Sequence, residues 1–111
     1  MGAQTFMITA YGKDMKSAYD NAVEDYLYEY GHDSYNGTIS TTCGYRQVYG
    51  VVDNNTPWTK TKEKKAYEKA YDMLETMEKR ECKGIDLGKV SNRITHHNGW
   101  HKFIFFGWGA C

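Results

Sequence analysis

The sequence is poor in aliphatic side chains and in proline. Leu, Ile, Val and Phe together supply 17 of the 111 residues, and there is one proline. An apolar fraction this low is typical of disordered chains. Ten Tyr, three Trp and five Met reverse that interpretation, because each buried aromatic ring removes about 150–250 Å² from water. We therefore expect one folded domain over residues 1–111, with many tyrosine rings at the margin of its core.

The sequence also lacks an excess of either charge and any long apolar run. Fourteen Lys and Arg balance fourteen Asp and Glu, which argues against the overall positive field that nucleic-acid-binding proteins use. No stretch approaches the roughly 18 apolar residues of a membrane-spanning helix, and the first residues do not resemble a signal peptide. The expected protein is soluble and cytoplasmic and does not contact a membrane.

Cysteine is scarce, and the three present are widely spaced with no Cys-x-x-Cys pair: Cys43, Cys82 and Cys111. This pattern argues against a secreted disulfide framework and against a zinc ribbon. Three histidines cluster near the end of the chain: His96, His97 and His101. We predict reduced thiols, no metal and no cofactor, although the sequence leaves open whether these histidines and cysteines meet.

Hydrophobic periodicity predicts the first elements of structure. Apolar alternation indicates a strand over residues 5–11. Asp14 can cap a helix whose apolar stripe runs over residues 15–30, and Gly31 can end that helix. The β-rich segments 38–42 and 45–52 flank a short turn that contains glycine, which favours a hairpin.

The second half predicts another helix and a strongly apolar strand. Apolar spacing indicates a helix from about residue 58 to 82, with Thr56 before a proline at its start. Residues 84–99 suggest irregular chain or a short edge strand. In residues 100–109 both alternating faces are apolar, which indicates a central strand or a sheet whose second face meets something.

The predicted element order is β-α-β-β-α-β, the split βαβ plan of ferredoxin-like domains. The expected fold class is α+β, with a mainly antiparallel sheet and both helices on one face. The other face of such a sheet would be open to surplus aromatic rings. Those rings could stack on bases as in RNA-recognition domains, although the glycines of that signature are missing here.

Charge is distributed unevenly between the two halves of the chain. Residues 1–58 carry three basic and seven acidic side chains, whereas residues 59–111 carry eleven and seven. The first helix should present an acidic surface and the second a basic cluster that includes Lys60, Lys62 and Lys64. These could be two solvated helix faces, or patches that steer a charged partner or allow head-to-tail self-association.

The loop after the first helix collects polar groups typical of binding sites. It contains His32, Asp33, Tyr35, Asn36 and Thr38. A histidine beside a carboxylate could act as a general base for a small nucleotide, but the negative end of the preceding helix disfavours an anion there. The other interpretation is that this loop only ends the helix and forms a turn. No residue is assigned a catalytic role.

Two segments resemble a group of small, uncharacterised phage-encoded proteins. They are Tyr28 to Ile39, preceded by Ala18-Tyr19 and Ala22-Val23-Glu24, and the ending Phe105 to Ala110. In that group a Tyr-Gly-His-x-x-Tyr-x-Gly-Thr-Ile stretch and a closing Phe-Phe-Gly-Trp recur. The resemblance covers about a third of the chain. It implies a phage origin and no particular reaction.

The resemblance and the scarcity of catalytic groups together predict a non-enzymatic phage or prophage protein. Such a protein would bind and inhibit a host factor, for example a bacterial defence component, as an anti-CRISPR-like inhibitor does. Tyr and Trp are favoured at interfaces. The predicted contacts are Tyr35, Asn36, Trp100 and Trp108, with the lysine cluster as a second patch. A small-nucleotide protein that uses His32 and Asp33, and an RNA-binding protein that uses the open sheet face, are the alternatives.

Overall fold

A computed structural model describes residues 2–30 and 37–110. Its elements in chain order are β1 (Ala3–Gly12), α1 (Met15–Tyr30), a 3₁₀ helix (Ile39–Thr41), β2 (Arg46–Gln47), α2 (Lys60–Leu74), β3 (Cys82–Lys89), α3 (Asn92–Thr95) and β4 (His101–Ala110). The four strands form one mixed sheet flanked by two main helices. The predicted α+β class is confirmed.

The strand order in the sheet is β1-β4-β3-β2. β4 is antiparallel to both of its neighbours, and the two-residue β2 is parallel to β3. The sheet is therefore mainly antiparallel, as predicted. With the four-residue α3 left aside, the helices and strands follow the order β-α-β-α-β-β, so the ferredoxin-like arrangement is not confirmed.

The two main helices cover opposite faces of the sheet. Phe103 and Phe105 of β4 belong to a core cluster with α1, whereas Ile104 and Phe106 belong to a second cluster with α2. The prediction of both helices on one face is therefore wrong. β4 is a central strand, as its alternation indicated, and each of its two apolar faces is covered by a helix. There is consequently no open aromatic face on β4 where RNA bases could stack.

α1 begins as the sequence predicts. The Ser17 amide donates to the Asp14 carboxylate at 2.7 Å, and this hydrogen bond is the first cause that holds the pKa of Asp14 below its ordinary value. The carboxylate satisfies an amide that the first helical turn leaves without a partner. Met15, Ala18 and Ala22 then face the sheet.

The predicted hairpin over residues 38–52 is wrong, because side-chain hydroxyls bond to the local backbone of its first half. Thr38 caps the 3₁₀ helix by accepting from the Ser40 amide. The Thr41 hydroxyl donates to the Thr38 carbonyl at 2.7 Å, and the Thr42 hydroxyl donates to the Ile39 carbonyl at 2.6 Å. These bonds offer the backbone an alternative to strand pairing. They override the β propensity of the threonines.

α2 is shorter than its apolar pattern predicts. Its N-cap is Thr59, whose side chain accepts from the Lys62 amide at 3.1 Å. The proposed start at Thr56 is therefore wrong. The helix ends at Leu74, and Met77 continues the buried pattern from an irregular segment. Arg80 then takes a left-handed φ of 69°, which is incompatible with continued helix.

β3 is a buried, eight-residue strand where the sequence suggested irregular chain or a short edge strand. Glycines within β3 weaken its strand signal in the sequence, yet close packing requires them. A Cβ at Gly84 would lie 2.9 Å from the sulfur of Met15 and from the ring of Phe105. Gly88 has a φ of +101° next to an irregularity in the β3–β4 register. This glycine permits a local bulge that other residues would resist.

The glycines of the closing Phe-Phe-Gly-Trp-Gly stretch also mark close approaches. A Cβ at Gly107 would clash with the carbonyl oxygen of Glu81, and one at Gly109 would lie 2.5 Å from the carbonyl carbon of Gly37. The Gly37 amide donates to the Ala110 carbonyl at 2.7 Å. Gly37 and the last residues of β4 therefore pack closely against each other.

Candidate functional site

The structure places several tyrosine rings at the surface, as the composition predicted. Among the residues whose burial the structure describes, the most exposed are Tyr28, at 94%, Tyr49, at 76%, and Tyr71, at 65%. Phe103, Phe105 and Phe106 fill the interior instead. The rings that remain outside are therefore mostly tyrosines.

Four predicted contact residues lie outside the described residues: His32, Asp33, Tyr35 and Asn36. Their roles stay predictions. Thr38 is described, and its hydroxyl serves the cap of the 3₁₀ helix and lies 2.8 Å from the Ser40 hydroxyl. The geometry therefore gives Thr38 a structural task in holding the segment that follows the predicted loop.

The two predicted tryptophan contacts lie in different surroundings. The indole N–H of Trp108 donates to the Leu74 carbonyl at 2.8 Å, which ties β4 to the end of α2. Trp100 stacks on His97 with ring centroids 3.8 Å apart and lines a groove between β1 and α1. Trp108 is thus engaged within the fold, while Trp100 borders a surface opening.

The three predicted lysines also have different surroundings. The ammonium of Lys62 donates to the Thr56 carbonyl and hydroxyl, each at 3.0 Å, and to the Pro57 carbonyl at 3.3 Å. This side chain fastens the loop that precedes α2. Lys60 and Lys64 are exposed and border a groove on the outer side of α2.

We name this opening the α2 groove, which has a volume of about 540 Å³. It is lined by Trp58, Lys60, Glu63, Lys64, Tyr67, Glu68, Tyr71 and Lys102. Ala66, Ala70 and Leu74 turn toward the sheet. The positions 60, 64, 67 and 71 are spaced by four, three and four residues, so they lie on one side of the helix. Tyr67 is partly buried against the core, and the other three are exposed. Aromatic and basic side chains therefore share a single surface.

An ion pair stabilises the inner wall of the α2 groove. The Lys102 ammonium lies 2.6 Å from a Glu63 carboxylate oxygen, which also accepts from the Trp58 indole at 3.0 Å. The same ammonium lies 4.9 Å from the centre of the Trp58 ring. Burial alone would lower the pKa of Lys102, but its bond to Glu63 and that negative charge outweigh burial and raise the pKa overall. Lys102 and Glu63 therefore neutralise each other.

Trp58, Tyr67 and Tyr71 were not among the functional candidates predicted from the sequence. The apolar spacing that predicted the second helix includes both tyrosines. Ala66 and Ala70 lie against the sheet, Tyr67 is partly buried against the same cluster, and Tyr71 is exposed. The regular spacing of Lys60, Lys64, Tyr67 and Tyr71 was the available signal. It could be used only once the smaller residues were known to form the buried face.

A histidine and a carboxylate that sequence analysis did not pair lie together across the β3–β4 bulge. Nδ1 of His101 is 2.9 Å from Oδ1 of Asp86. The same carboxylate accepts from the Gly88 amide at 2.9 Å and from the Asn54 amide group at 3.4 Å. The carboxylate is thus surrounded by donors from three segments. This arrangement ties the bulge to β4.

The predicted histidine cluster is divided among different tasks. His97 stacks on Trp100, and His101 bonds to Asp86. Within residues 2–30 and 37–110, no group of three or more His, Cys, Asp or Glu side chains could hold a metal ion. Cys111 lies outside this part of the chain.

The two described cysteines should differ greatly in reactivity. Cys43 is exposed and Cys82 is buried, and burial raises the pKa of the Cys82 thiol. Alkylation requires a thiolate that the reagent can reach. At pH 8 we expect iodoacetamide to modify Cys43 at least about 1,000-fold faster than Cys82, because Cys82 must wait for an opening of the fold. Peptide mass spectrometry measures both rates.

Denatured protein supplies the control for this comparison. In concentrated urea the two thiols should react at similar rates, because both are then exposed to solvent. If Cys82 in the native protein reacts within about tenfold of Cys43, β3 does not have the buried position described here.

Within the described residues, no helix is long and apolar enough to cross a lipid bilayer. Comparisons of this chain with models of protein families, with curated proteins and with solved structures found no match.

Proposed function

We propose that this chain is a phage or prophage accessory protein that acts in the cytoplasm of the host cell. It binds and inhibits a host factor, a component of bacterial defence, and catalyses no reaction. The observation that supports the proposal most directly is the α2 groove. The exposed ring of Tyr71, the partly buried rings of Trp58 and Tyr67 and two exposed lysines share this surface, and aromatic rings are enriched at protein interfaces.

The charges of the α2 groove indicate the chemistry of the partner surface. Glu63 neutralises Lys102, so that ion pair adds little net charge. Lys60, Lys64 and Glu68 remain at the rim of the groove, which gives it a modest positive potential. A partner that presents an acidic side chain beside apolar ones would complement this surface.

A paired substitution tests this function. Tyr71→Ala removes an exposed ring from the α2 groove, whereas Tyr28→Ala removes a still more exposed ring from α1. Wild type and both variants are immobilised, and proteins retained from a bacterial lysate are quantified. We expect Tyr28→Ala to retain the partner like wild type and Tyr71→Ala to weaken its binding about 30-fold, the loss of a 2 kcal/mol hot spot.

The retained protein must then be tested as the target. Its own activity is measured with increasing amounts of wild type and of Tyr71→Ala. Inhibition by wild type at concentrations about 30-fold below those needed for Tyr71→Ala supports the proposal. Equal retention of the partner by wild type and Tyr71→Ala, or a partner whose activity is unaffected, contradicts it.

The two alternatives differ in what they require. The small-nucleotide function depends on His32 and Asp33, which lie outside the described residues, and it stays a prediction. RNA binding was predicted from an open aromatic sheet face. The aromatic side chains of β4 at positions 103, 105 and 106 are fully buried under the two helices, so that alternative loses its structural basis.

A further inference from the structure

β1 is an edge strand, and the hydrogen bonds of β4 show which of its backbone groups point outward. Both backbone groups of Ala110 and of Trp108 bond to segments other than β1. Their partners on β1, Ala3 and Thr5, must therefore also direct their backbone groups away from β4. This direction alternates along a strand. The outward N–H and C=O groups thus belong to Ala3, Thr5, Met7, Thr9 and Tyr11.

This edge lacks the features that usually prevent strand pairing. The ten residues of β1 include no charged residue and no proline, and its register with β4 runs without a bulge from Ala3 to Gly12. Within the described part of the chain, no backbone group bonds to its outer side. A long, regular and uncharged edge of this kind is a template for another strand.

A groove of about 400 Å³ runs beside this edge on the α1 side of the sheet. Its floor is residues 8–11 of β1, and its wall is α1 with Asn21, Glu24 and Asp25. Ala22, Tyr26 and Trp100 complete the lining. Alternate side chains of an added strand would enter this groove. The two carboxylates and the two rings suit the charged end and the apolar stem of a lysine or arginine.

We propose that β1 pairs with an extended segment of a partner protein that carries Lys or Arg at the alternate positions facing α1. This inference rests on the proposed function in one respect, because both assume a protein partner. The outer edge of β1 is a second contact surface, separate from the α2 groove. The outward amides and carbonyls supply the main-chain pairing. Glu24 and Asp25 select the basic side chains.

A second copy of the chain suits this edge less well. Antiparallel pairing of two β1 strands places identical faces of the two sheets on the same side, and each α1 would then lie beside the other. Glu24 and Asp25 border the groove on that side, so like charges would oppose each other across the junction. A cationic strand places opposite charges there.

A synthetic peptide tests the proposal without any host partner. The probe is an acetylated, fluorescein-labelled ten-residue peptide in which Lys and Val alternate, and its binding is followed by fluorescence anisotropy. We expect it to bind at least tenfold more tightly than the same peptide with Glu in place of Lys. Hydrogen exchange should show new protection at the outward amides of Thr5, Met7 and Thr9.

Two variants of Thr9 separate backbone pairing from charge attraction. Thr9→Pro deletes an outward N–H without removing a bond to β4, a position where an edge strand tolerates proline. Thr9→Ala removes the same side chain and keeps the N–H. We expect Thr9→Ala to bind the Lys-Val peptide like wild type and Thr9→Pro to bind at least tenfold more weakly.

Asp25→Asn should also weaken binding of the Lys-Val peptide. Tyr71→Ala should leave it unchanged, whatever its effect on the host partner.

The proposal is overturned if Thr9→Pro binds the Lys-Val peptide as tightly as Thr9→Ala, or if the Glu-Val peptide binds equally well. It is also overturned if the protein alone is a dimer that Thr9→Pro dissociates, because a second copy would then occupy the edge. If Thr9→Pro does not fold, hydrogen exchange of wild type decides. Peptide binding without new protection at the outward amides of β1 contradicts the proposal.

Discussion

Replacing Phe105 or Phe106 with alanine should destabilise the protein by about 3–5 kcal/mol in each case. Both rings are fully buried in β4, yet they lie in different clusters, one under α1 and the other under α2. Each substitution removes apolar burial and leaves a cavity that the neighbouring helix fills only in part. A domain has a total stability of about 5–15 kcal/mol, so we expect a substantial unfolded fraction of either variant near 37 °C.

Urea unfolding followed by circular dichroism measures both free energies. Tyr28→Ala is the control, because an exposed ring should contribute within about 0.5 kcal/mol. The informative result is that both substitutions lower the free energy of unfolding by a large amount. If one face of the sheet were open, the substitution of the ring on that face would have only a small effect. A cost below about 1 kcal/mol for Phe106→Ala would show that α2 does not cover that face.

Amide hydrogen exchange along β1 of the unbound protein should alternate. The amides of Phe6, Ile8 and Ala10 point toward β4, whereas those of Thr5, Met7 and Thr9 point outward. Inward amides exchange only when the strand opens. An opening free energy of roughly 4 kcal/mol would slow them about 1,000-fold relative to their outward neighbours.

Nuclear magnetic resonance after transfer into deuterated water resolves the individual amides. The comparison is internal, because adjacent residues of one strand share temperature, pH and global stability. Uniform protection along β1 would mean that its outer edge is already paired, and the proposed docking strand would then have no place to bind.

The elements that were correctly predicted are those whose local signals agree with their tertiary contacts. α1 combines a capping carboxylate at Asp14 with a regular apolar stripe, and both signals act within a few residues. β4 has apolar side chains on both alternating faces, which predicted a central strand or a sheet whose second face meets something. Such patterns need no knowledge of the remaining chain.

The elements that were missed depend on contacts that the local sequence does not contain. Thr38 to Thr42 has strand propensity, but its hydroxyls bond to its own backbone. Gly84 weakens the strand signal of β3, and only the proximity of Met15 and Phe105 explains why no larger residue is present. Opposite placement of the helices likewise follows from strand order, which single-sequence periodicity does not determine.

Prediction of the candidate site was limited in the same way. Lys60 and Lys64 were found because charge clusters are visible in the sequence. Tyr67 and Tyr71 were missed because helical spacing alone does not tell which of two adjacent stripes is buried. The outer edge of β1 could not be predicted, because a strand becomes an edge only through the pairing of the others.

The pairing of β1 with β4 also bears on how fast the protein folds. Ala3 lies opposite Ala110, so the most extensive strand pair joins segments separated by nearly the whole sequence. Closing so large a loop costs chain entropy before the stabilising contacts between β1 and β4 can form. Refolding should therefore be slow for a chain of this length, on the millisecond to second timescale of topologies dominated by distant contacts.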